Sequence, residues 1–488
     1  MASSRKSKSD NISRRAQHVL RTQVQTDDHL TVALSGGVDS AVLLHLLVPL
    51  ASQMQLPLSA VHVNHSISPN ADKWGEFCRN LCQSRNIPLE IARVKVTREP
   101  GTSLEAAARE ERYRIFRNLQ TDYVVLAQHL DDQAETLLLQ LLRGAGVKGL
   151  SAMPVVRTVR KEMDEKASTN SVPALERKPK LLRPLLDVSR REIEDYAREH
   201  TLQWITDESN DEVSFDRNFL RHALFPLLGK RFPAYRTTFL RASRHMAEAS
   251  ALLDELAEVD SAQCAVPGKL HVEDLRKLSF PRARNLLRYT LAQHAVILPS
   301  TVKLEEILRQ LLSSRPDTKL HVVFGNTEIR CFRDQVHIRK AQTIVQAIPE
   351  APWHLVWQGE EQLPIPELGG TLRFARRRGV GISLQKINEQ PVTIRLRQGG
   401  ERLRTDCNRP RRSLKNLLRE ASLPPWQRQR LPLIFSGEQL VCVPGIGVDC
   451  DFQAADDEQG LVVEWQANPD SPNPDSPYHN SNTSTSAF

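Results

Sequence analysis

The sequence contains few cysteines and no long hydrophobic run, and both absences limit what kind of protein this is. No apolar stretch reaches the roughly 18–20 residues that a membrane-spanning helix requires. Residues 1–15 are polar and basic and lack the apolar segment of a secretory signal. The seven cysteines are odd in number and scattered, which favours reduced thiols over a disulfide framework. We therefore expect a cytoplasmic protein without a membrane partner.

Length and charge indicate the scale of the protein and the kind of partner that it suits. At roughly 100–200 residues per domain, 488 residues predict about three domains. The content of 40% hydrophobic and 25% charged residues is typical of soluble globular proteins. The 66 basic and 58 acidic side chains leave a net charge of +8, which suits an anionic partner without requiring one.

Strand-like runs alternate with helical patterns between residues 29 and 155, in HLTVALSGG, LSAVHVNHS, LEIARVKV and YVVLAQH. This alternation predicts an α/β fold with a doubly wound parallel sheet, whose functional residues lie at the carboxyl ends of the strands. A helical middle domain and a small mixed α+β C-terminal domain follow. The predicted parts are a basic mobile arm (1–28), the α/β domain (29–230) with a mobile insert (157–180), the mainly helical domain (231–345), a basic C-terminal domain (350–465) and a disordered tail (466–488).

The sharpest motif is a glycine-containing loop between the first strand and an apolar helix. Glycine lets the backbone approach a ligand closely, and the helix N-terminus offers unpaired N–H groups and a partial positive charge to a phosphate. A Gly-Gly turn capped by Asp or Ser is the structural alternative, and the Walker lysine is absent. The residues predicted to bind nucleotide phosphates are Ser35, Gly36, Gly37, Val38, Asp39 and Ser40.

A second polar cluster follows the strand YVVLAQH. Asp131 and Asp132 lie at a strand-to-helix corner on the ligand side of the predicted sheet. Two adjacent carboxylates there suit Mg²⁺ or a cationic substrate, and a pair of helix-capping aspartates is the structural alternative. Arg143, flanked by glycine, has the reach to contact a phosphate. His62 and His65 suit either a metal site or ordinary hydrogen bonding, and no third ligand follows them at suitable spacing.

These motifs resemble those of a known enzyme family. The loop resembles the SGGxDS loop of the PP-loop ATP pyrophosphatases, which cleave ATP between its α and β phosphates. The segments SLEAAAREERYR, AQHLDDQAETLLLQLLRGAGVKGLSAM, LLRPLLDVSRREI and DESNDEVSFDRNFLRHALFP follow in the order of the tRNA(Ile)-lysidine synthases, over residues 30–230. The later helical and arginine-rich regions resemble the middle and C-terminal domains of the long form of that family.

The resemblance implies ligation of free L-lysine to C2 of the wobble cytidine of a tRNA(Ile) with a CAU anticodon. The cytosine C2 oxygen would attack the α-phosphate of ATP and expel pyrophosphate, and the lysine ε-amine would then displace AMP. ATP is the implied second substrate and Mg²⁺ the implied cofactor. The sequence leaves the oligomeric state open, a homodimer included.

The resemblance also assigns roles to individual residues. Asp39 is placed in the metal or lysine neighbourhood as a Mg²⁺ ligand, and Asp131 and Asp132 are assigned to lysine recognition. Arg109 and Arg112 are assigned to the phosphates or base of the reacting nucleotide. The implied catalytic set is Asp39, Asp131, Asp132 and Arg112, and its implied neighbours are His129, Glu135, Arg109 and Arg143.

Residues 391–430 are the most basic part of the chain, with ten arginines and one lysine against three acids. Guanidinium groups next to Trp426 suit phosphate contacts and stacking on RNA, and a solvated basic surface is the structural alternative. Arg217 and Arg221, on or before a helix, suit a similar contact. The residues predicted to bind tRNA are Arg217, Arg221, Arg409, Arg411, Arg412 and Lys415.

Other functions are less well supported by the residues present. A tRNA thiolase would share the adenylylation step, but such enzymes generally use catalytic cysteines or an iron–sulfur cluster. The sequence has no CxxC, and the spacing of Cys78 and Cys82 inside an apparent helix is C-x₃-C. An RNA-binding module with a degenerate nucleotide fold is the non-enzymatic alternative, against which the intact loop argues.

Overall fold

The computed structural model describes residues 8–97, 103–158, 179–206, 216–266, 268–294, 296, 298–313, 320–340 and 353–467. The chain divides into two compact units, whose boundary lies between Leu253 and Asp254. Within the described residues, no helix has both the length and the hydrophobicity needed to cross a membrane.

The first unit is built on a six-stranded sheet in the order β3-β2-β1-β4-β6-β5. Every neighbouring pair is parallel except β5 and β6, which are antiparallel. This arrangement confirms the predicted α/β fold and its doubly wound parallel sheet. The strands are β1 (Leu30–Ala33), β2 (Leu58–Asn64), β3 (Leu89–Arg93), β4 (Tyr123–Val125), β5 (Val156–Thr158) and β6 (Lys180–Leu182).

Helices cover both faces of this sheet, because its strands are apolar on both sides. One core cluster includes Val32 and Leu43, and the other includes Phe116 and Val124. The helices are α1 (Lys8–Gln23), α2 (Val38–Met54), α3 (Ala71–Gln83), α4 (Leu104–Asn118), α5 (Leu130–Leu142), α6 (Val147–Leu150), α7 (Arg190–Glu199), α8 (Asp216–Phe219), a π-helical turn (Leu220–Leu224), α9 (Phe225–Arg231) and α10 (Tyr235–Ala262).

The amino-terminal helix α1 belongs to this core. Ile12, Ala16 and Leu20 recur every four residues and are buried, as expected for one face of a packed helix. Arg15 donates to Glu192 Oε1 at 2.9 Å and also to the side chain and backbone carbonyl of Asp187. The prediction of a mobile arm over residues 1–28 is therefore wrong from residue 8 onwards, and residues 1–7 lie outside the described residues.

The capping box predicted at the start of α7 is confirmed, whereas the predicted insert differs from the prediction at both of its ends. Ser189 and Glu192 form the predicted capping box, with Ser189 N–H donating to Glu192 Oε2 at 2.8 Å. The insert predicted as a loop over 157–180 begins and ends in strand, because β5 and β6 pair through Arg157, Thr158 and Lys180. Residues 159–178 lie outside the described residues.

The first part of the second unit combines helices with an antiparallel sheet of order β7-β10-β9-β8. Leu287, Ile307 and Ile329 belong to one core cluster that helices and sheet share, so the predicted mainly helical character of residues 231–345 is incomplete. The elements are β7 (Leu270–His271), α11 (Val272–Arg276), α12 (Phe280–Gln293), α13 (Thr301–Ser313), β8 (His321–Phe324), β9 (Thr327–Phe332) and β10 (Gln335–Lys340).

The C-terminal part of the second unit is the predicted mixed α+β domain. Its two larger sheets, β11-β15-β18-β19-β20 and β12-β13-β21-β14, share one core. Its elements are β11 (His354–Val356), β12 (Gln362–Ile365), β13 (Gly370–Arg378), β14 (Ile382–Ser383), α14 (Leu384–Ile387), β15 (Val392–Arg395), β16 (Arg402–Leu403), β17 (Arg412–Ser413), α15 (Leu414–Glu420), α16 (Pro425–Arg428), β18 (Leu433–Ser436), β19 (Gln439–Val443), β20 (Gly447–Val448) and β21 (Gln459–Ala467).

Two predictions for the C-terminal region need correction. Cys407 and Cys450 form a disulfide, with Cα atoms 5.5 Å apart, so the prediction that all thiols are reduced is wrong for this pair. The tail predicted as disordered from residue 466 begins in strand, since β21 extends to Ala467. Residues 468–488 lie outside the described residues.

Candidate active site

The predicted phosphate loop joins β1 to α2 at the carboxyl end of the sheet. Gly36 has φ +90°, and a Cβ there would lie 2.9 Å from Ile205 Cδ1. Ile205 N–H donates to the Gly36 carbonyl at 2.9 Å. Glycine is therefore required at this position both for its positive φ and for its close contact.

Hydrogen bonds within the loop leave one end of it open. Ser40 Oγ accepts from the N–H groups of Ser35 and Gly36, each at 3.2 Å, so these two donors are engaged inside the loop. Gly37 caps α2 without a side chain, and no side chain of the described residues accepts from the N–H groups of Val38 and Asp39. The first turn of α2 therefore retains the donors that bind a phosphate at a helix N-terminus.

A carboxylate cluster lies beside the loop because β1 and β4 are adjacent parallel strands. Their carboxyl ends bring the first turns of α2 and α5 together. His129 is buried, and its Nε2 atom lies 3.7 Å from Asp39 Oδ1 and 3.6 Å from Asp132 Oδ2. We use the term carboxylate cluster for Asp39, His129, Asp131, Asp132 and Glu135.

Asp131 holds three helices together. Its Oδ2 atom accepts from the backbone N–H of Arg190, the first residue of α7, at 2.9 Å. Its Oδ1 atom pairs with Arg236 of α10. Both oxygens are thus engaged by the protein, so the predicted role of Asp131 in lysine recognition is not supported by its contacts.

Glu135 is fully buried, and the described residues hydrogen-bond only one of its two carboxylate oxygens. Its Oε1 atom accepts from Arg221, with Nη2 at 2.8 Å and Nε at 2.9 Å, whereas no group of the described residues hydrogen-bonds its Oε2 atom. Burial raises the pKa of the Glu135 carboxyl, and Arg221 opposes that rise. Arg221, predicted to contact tRNA, instead pairs with the carboxylate cluster, and its Nη2 atom also lies 3.6 Å from Asp132.

Asp39 has the same unequal arrangement. Arg190 pairs with its Oδ2 atom, and its buried Oδ1 atom accepts no hydrogen bond from the described residues. Burial raises the pKa of the Asp39 carboxyl, while His129 and Arg190 act in the opposite direction. An unpaired carboxylate oxygen in such a place is costly unless a cation joins it, so the cluster has room for added positive charge.

Three arginines from α4 and the end of β6 form a second group, here called the arginine group: Arg109, Arg112 and Arg183. Arg112 contacts His65 Nε2 at 3.4 Å, and Arg109 donates to the Tyr113 hydroxyl at 3.2 Å. Buried Arg183 donates to the Pro154 carbonyl at 2.9 Å and to the Gln128 side chain. None forms an ion pair with a carboxylate of the described residues, which is typical of a site that receives an anion.

Desolvation and nearby positive charge lower the pKa of two members of the arginine group. Desolvation and the neighbouring Arg109 lower the pKa of the Arg112 guanidinium. Burial, Arg157 and Arg109 lower the pKa of Arg183. A bound phosphate would relieve this repulsion, which supports the predicted contact of Arg109 and Arg112 with a nucleotide.

The two histidines of HVNHS hydrogen-bond and do not form a metal site. His62 Nδ1 lies 2.9 Å from the Leu34 carbonyl, and burial together with Arg112 lowers the pKa of His65 to about 4. Among the described residues, no group of three or more His, Cys, Asp or Glu side chains is arranged to hold a metal ion. A metal ion here would therefore require ligands from a substrate.

Most of the other residues predicted to contact phosphate or tRNA have a carboxylate partner of their own. Arg143 is exposed, with Asp216 at 3.6 Å, and Arg217 is half-buried in α8. In the C-terminal domain, Arg409 pairs with Asp406 at 3.2 Å, Arg411 with Asp449 at 3.0 Å and Arg412 with Glu420, while Lys415 is exposed.

Trp426 does not present a free stacking face. Arg330 and Arg339 each lie 5.0 Å from its ring centre, and His337 and Phe332 contact it edge-on. The predicted stacking of Trp426 on RNA would have to compete with these contacts of the half-buried indole, and it stays a prediction.

Two residues of the site carried no recognised signal in the sequence. Arg190 follows a strand of only three residues, too short to stand out beside a charged segment. Arg236 lies near the start of a 28-residue helix, where nothing distinguishes it from a surface arginine. The position of Arg190 directly after its capping residue was the one available indication.

Comparisons with known proteins agree with this architecture. Family models described as a PP-loop domain, a TilS substrate binding domain and a TilS substrate C-terminal domain match residues 8–228, 270–337 and 392–465. A tRNA(Ile)-lysidine synthase of Nitrosomonas europaea is 54% identical over 92% of this chain and 94% of its own length. This chain belongs to the tRNA(Ile)-lysidine synthase family.

Further similarities agree with that membership. A tRNA(Ile)-lysidine synthase of Coxiella burnetii is 36% identical over 91% of the chain and 95% of its own length. Among solved structures, a U34-tRNA thiolase of Methanococcus maripaludis with its [4Fe-4S] cluster aligns with 49% of the chain and 78% of its own, at a TM-score of 0.40 and 17% identity. That value is too low to carry an argument about function.

The cysteines themselves argue against thiolase chemistry. Cys78, Cys82, Cys331 and Cys442 are buried free thiols. Burial raises the pKa of Cys78 to about 12 and that of Cys82 to about 11. Because the thiolate is the reactive form of cysteine, these residues are not suited to sulfur transfer.

Proposed function

We propose that this protein joins lysine to C2 of the wobble cytidine of tRNA(Ile), with ATP converted to AMP and pyrophosphate. The proposal rests on the juxtaposition of an open phosphate loop and a buried carboxylate cluster, in which Asp39 Oδ1 and Glu135 Oε2 accept no hydrogen bond from any described residue. Such a site receives a polyphosphate and a cation side by side. Family membership gives the reaction that uses both.

In the first step, the loop and the arginine group hold ATP. The N–H groups at the start of α2 bind the outer phosphates, so that negative charge on the leaving pyrophosphate meets fixed donors. The cytosine C2 oxygen attacks the α-phosphate, the bond to the β-phosphate breaks, and the base becomes adenylylated. Arg109 and Arg112 are suited to hold the charge on the transferred α-phosphate.

Asp39 fits the role of a Mg²⁺ ligand. Its free Oδ1 oxygen is a hard donor at the base of the phosphate loop, and Mg²⁺ usually takes one or two carboxylates together with substrate phosphates and waters. Bound there, Mg²⁺ would neutralise phosphate charge. Since the described residues include no group of three or more possible metal ligands, the proposal has the metal ion enter the site together with ATP.

In the second step, Glu135 and Asp132 receive the lysine substrate. The free Oε2 atom of Glu135 offers a charge-assisted hydrogen bond to an ammonium group. The lysine ε-amine, with a reference pKa of about 10.4, must lose a proton before it attacks C2. Withdrawal from water favours its neutral form, and attack on C2 then releases AMP.

The test is mass analysis of tRNA(Ile) after incubation with ATP, Mg²⁺ and lysine. We expect the cytidine to gain the mass of one lysine less one water, and the gain to require all three components. A sulfur-for-oxygen mass change would support the thiolase instead. An unaltered cytidine in the presence of bound tRNA would overturn the proposal.

A further inference from the structure

The predicted RNA-binding loop of the C-terminal domain is largely neutralised by the protein itself. Arg409, Arg411 and Arg412 each form an ion pair, with Asp406, Asp449 and Glu420 respectively. A paired guanidinium has less net charge to offer a phosphate than an unpaired one. The basic composition of residues 391–430 therefore does not by itself locate the nucleic-acid contact.

Three other arginines of the second unit differ from these, because no described carboxylate pairs with them. Arg333 donates to the Arg419 carbonyl at 2.8 Å and to the Ser422 hydroxyl. Arg428 donates through Nε to the Leu423 carbonyl at 2.7 Å, and the Arg419 side chain is exposed. No carboxylate among the residues that the structure describes forms an ion pair with Arg333, Arg419 or Arg428.

These arginines lie close to one another across two parts of the unit. The guanidinium carbons of Arg333 and Arg428 lie 5.7 Å and 5.8 Å from the centre of the Phe332 ring. Arg333 belongs to the turn between β9 and β10, and Arg419 is in α15. Desolvation, followed by Arg333 and other arginines including Arg419, lowers the pKa of Arg428. The group therefore concentrates positive charge.

The backbone conformation at Arg333 is unusual for an arginine, which favours a functional role for this side chain. Arg333 and Asp334 have φ values of +48° and +70° in the β9–β10 turn. Two positive φ values are typical of a type I′ hairpin turn, which favours asparagine and glycine. A long side chain in that conformation costs about 1 kcal/mol or more and is found most often where function requires it.

We propose that Arg333, Arg419 and Arg428, here called the basic seam, bind backbone phosphates of tRNA. The inference rests on the proposed function, which supplies tRNA as the substrate. Guanidinium groups without acidic partners bind phosphate by charge-assisted, bidentate hydrogen bonds. The seam would hold tRNA through its backbone, independently of base sequence.

The test is equilibrium binding of unmodified tRNA(Ile) to the full-length protein over a series of salt concentrations. The triple variant R333Q/R419Q/R428Q should bind about 100-fold more weakly, and the magnitude of its log–log salt slope should fall by about 2 to 3, near one unit for each lost phosphate contact. The matched control is R276Q/R309Q/R395Q, which removes the same charge from arginines paired with Glu273, Glu305 and Glu438.

The control should bind within about 3-fold of the unaltered protein, since each of its arginines already has a carboxylate partner and so has less charge to offer a phosphate. An equal loss in the control, or a larger loss in R409Q/R412Q than in the seam variant, would overturn the proposal. Unaltered protein that fails to bind tRNA(Ile) at all would instead refute the proposed function.

A lysine variant separates phosphate binding from a structural role. R333K/R419K/R428K keeps the charge but loses the planar fork that bonds two acceptors at once. Binding within about 10-fold of the unaltered protein, with a preserved salt slope, supports phosphate contact. Binding as weak as that of the glutamine variant, at an unchanged melting temperature, would contradict it.

Discussion

The carboxylate cluster and the arginine group lie at the same edge of one sheet but are built in opposite ways. In the cluster, Arg190, Arg221 and Arg236 each neutralise one acid, and two buried carboxylate oxygens accept no hydrogen bond from the residues that the structure describes. In the arginine group, the bonds that three cations form with described residues are all to neutral groups. The comparison favours charge left over after internal pairing, rather than total charge, as the guide to where we propose that each ligand binds.

Asp39→Asn should have the largest effect. Loss of the carboxylate that we propose as the Mg²⁺ ligand, and that lies beside His129, should slow ATP–pyrophosphate exchange about 1000-fold, as expected for a group that stabilises charge in the transition state. Asp72→Asn, at an exposed carboxylate paired with Arg93, is the matched control and should keep full exchange. Full exchange in Asp39→Asn would remove that residue from the reaction.

Glu135→Gln should separate the two steps. The amide keeps the shape but loses the charge-assisted bond to lysine, so KM for lysine should rise about 30- to 100-fold. Adenylylation of tRNA without lysine should change little, measured as pyrophosphate release in a single turnover. Equal losses in both steps would show that Glu135 acts on ATP or on folding.

Arg112→Gln tests the arginine group in the same way. Because no carboxylate in the described part of the chain pairs with its guanidinium, its loss should spare stability and slow adenylylation about 10- to 100-fold. Arg112→Lys should recover part of the rate. A variant that unfolds at lower temperature but turns over normally would make the arginine structural.

Asp131→Asn should act on stability. Both its oxygens bond protein groups, so the loss should cost about 2–3 kcal/mol of unfolding free energy, measured in urea. KM for lysine should stay within about 3-fold of the unaltered protein because the side chain is engaged elsewhere. A large rise in KM at unchanged stability would return Asp131 to lysine recognition.

The smallest expected effect is a pH dependence from His65. Its pKa is about 4 in the folded protein, against an unfolded value of about 6.5. The unfolded chain binds the additional proton between these values, so stability should decrease by about 1–2 kcal/mol as pH falls from 6.5 to 4. His65→Asn should flatten that part of the urea-unfolding profile, and an unchanged profile would contradict the assignment.

Local patterns were sufficient to predict β1 to β4 and the phosphate loop, because apolar runs and glycines identify them without tertiary information. They were insufficient to separate Asp131 from Asp132. Adjacent helical residues point about 100° apart, and only the packing of α7 and α10 decides that Asp131 bonds both of these helices. The pairing of Cys407 with Cys450, 43 residues apart, is likewise a property of the folded chain.

The opening helix has a practical consequence for anyone who shortens this protein. A version that starts at residue 29 would remove Ile12, Ala16 and Leu20 from the core. It would also remove the hydrogen bonds of Arg15 to Asp187 and Glu192, on either side of Arg190 in the sequence. The segment that its basic composition predicts to be a mobile arm is therefore part of the folded first unit, and it supports the start of α7. Fusion partners and affinity tags therefore belong ahead of Lys8.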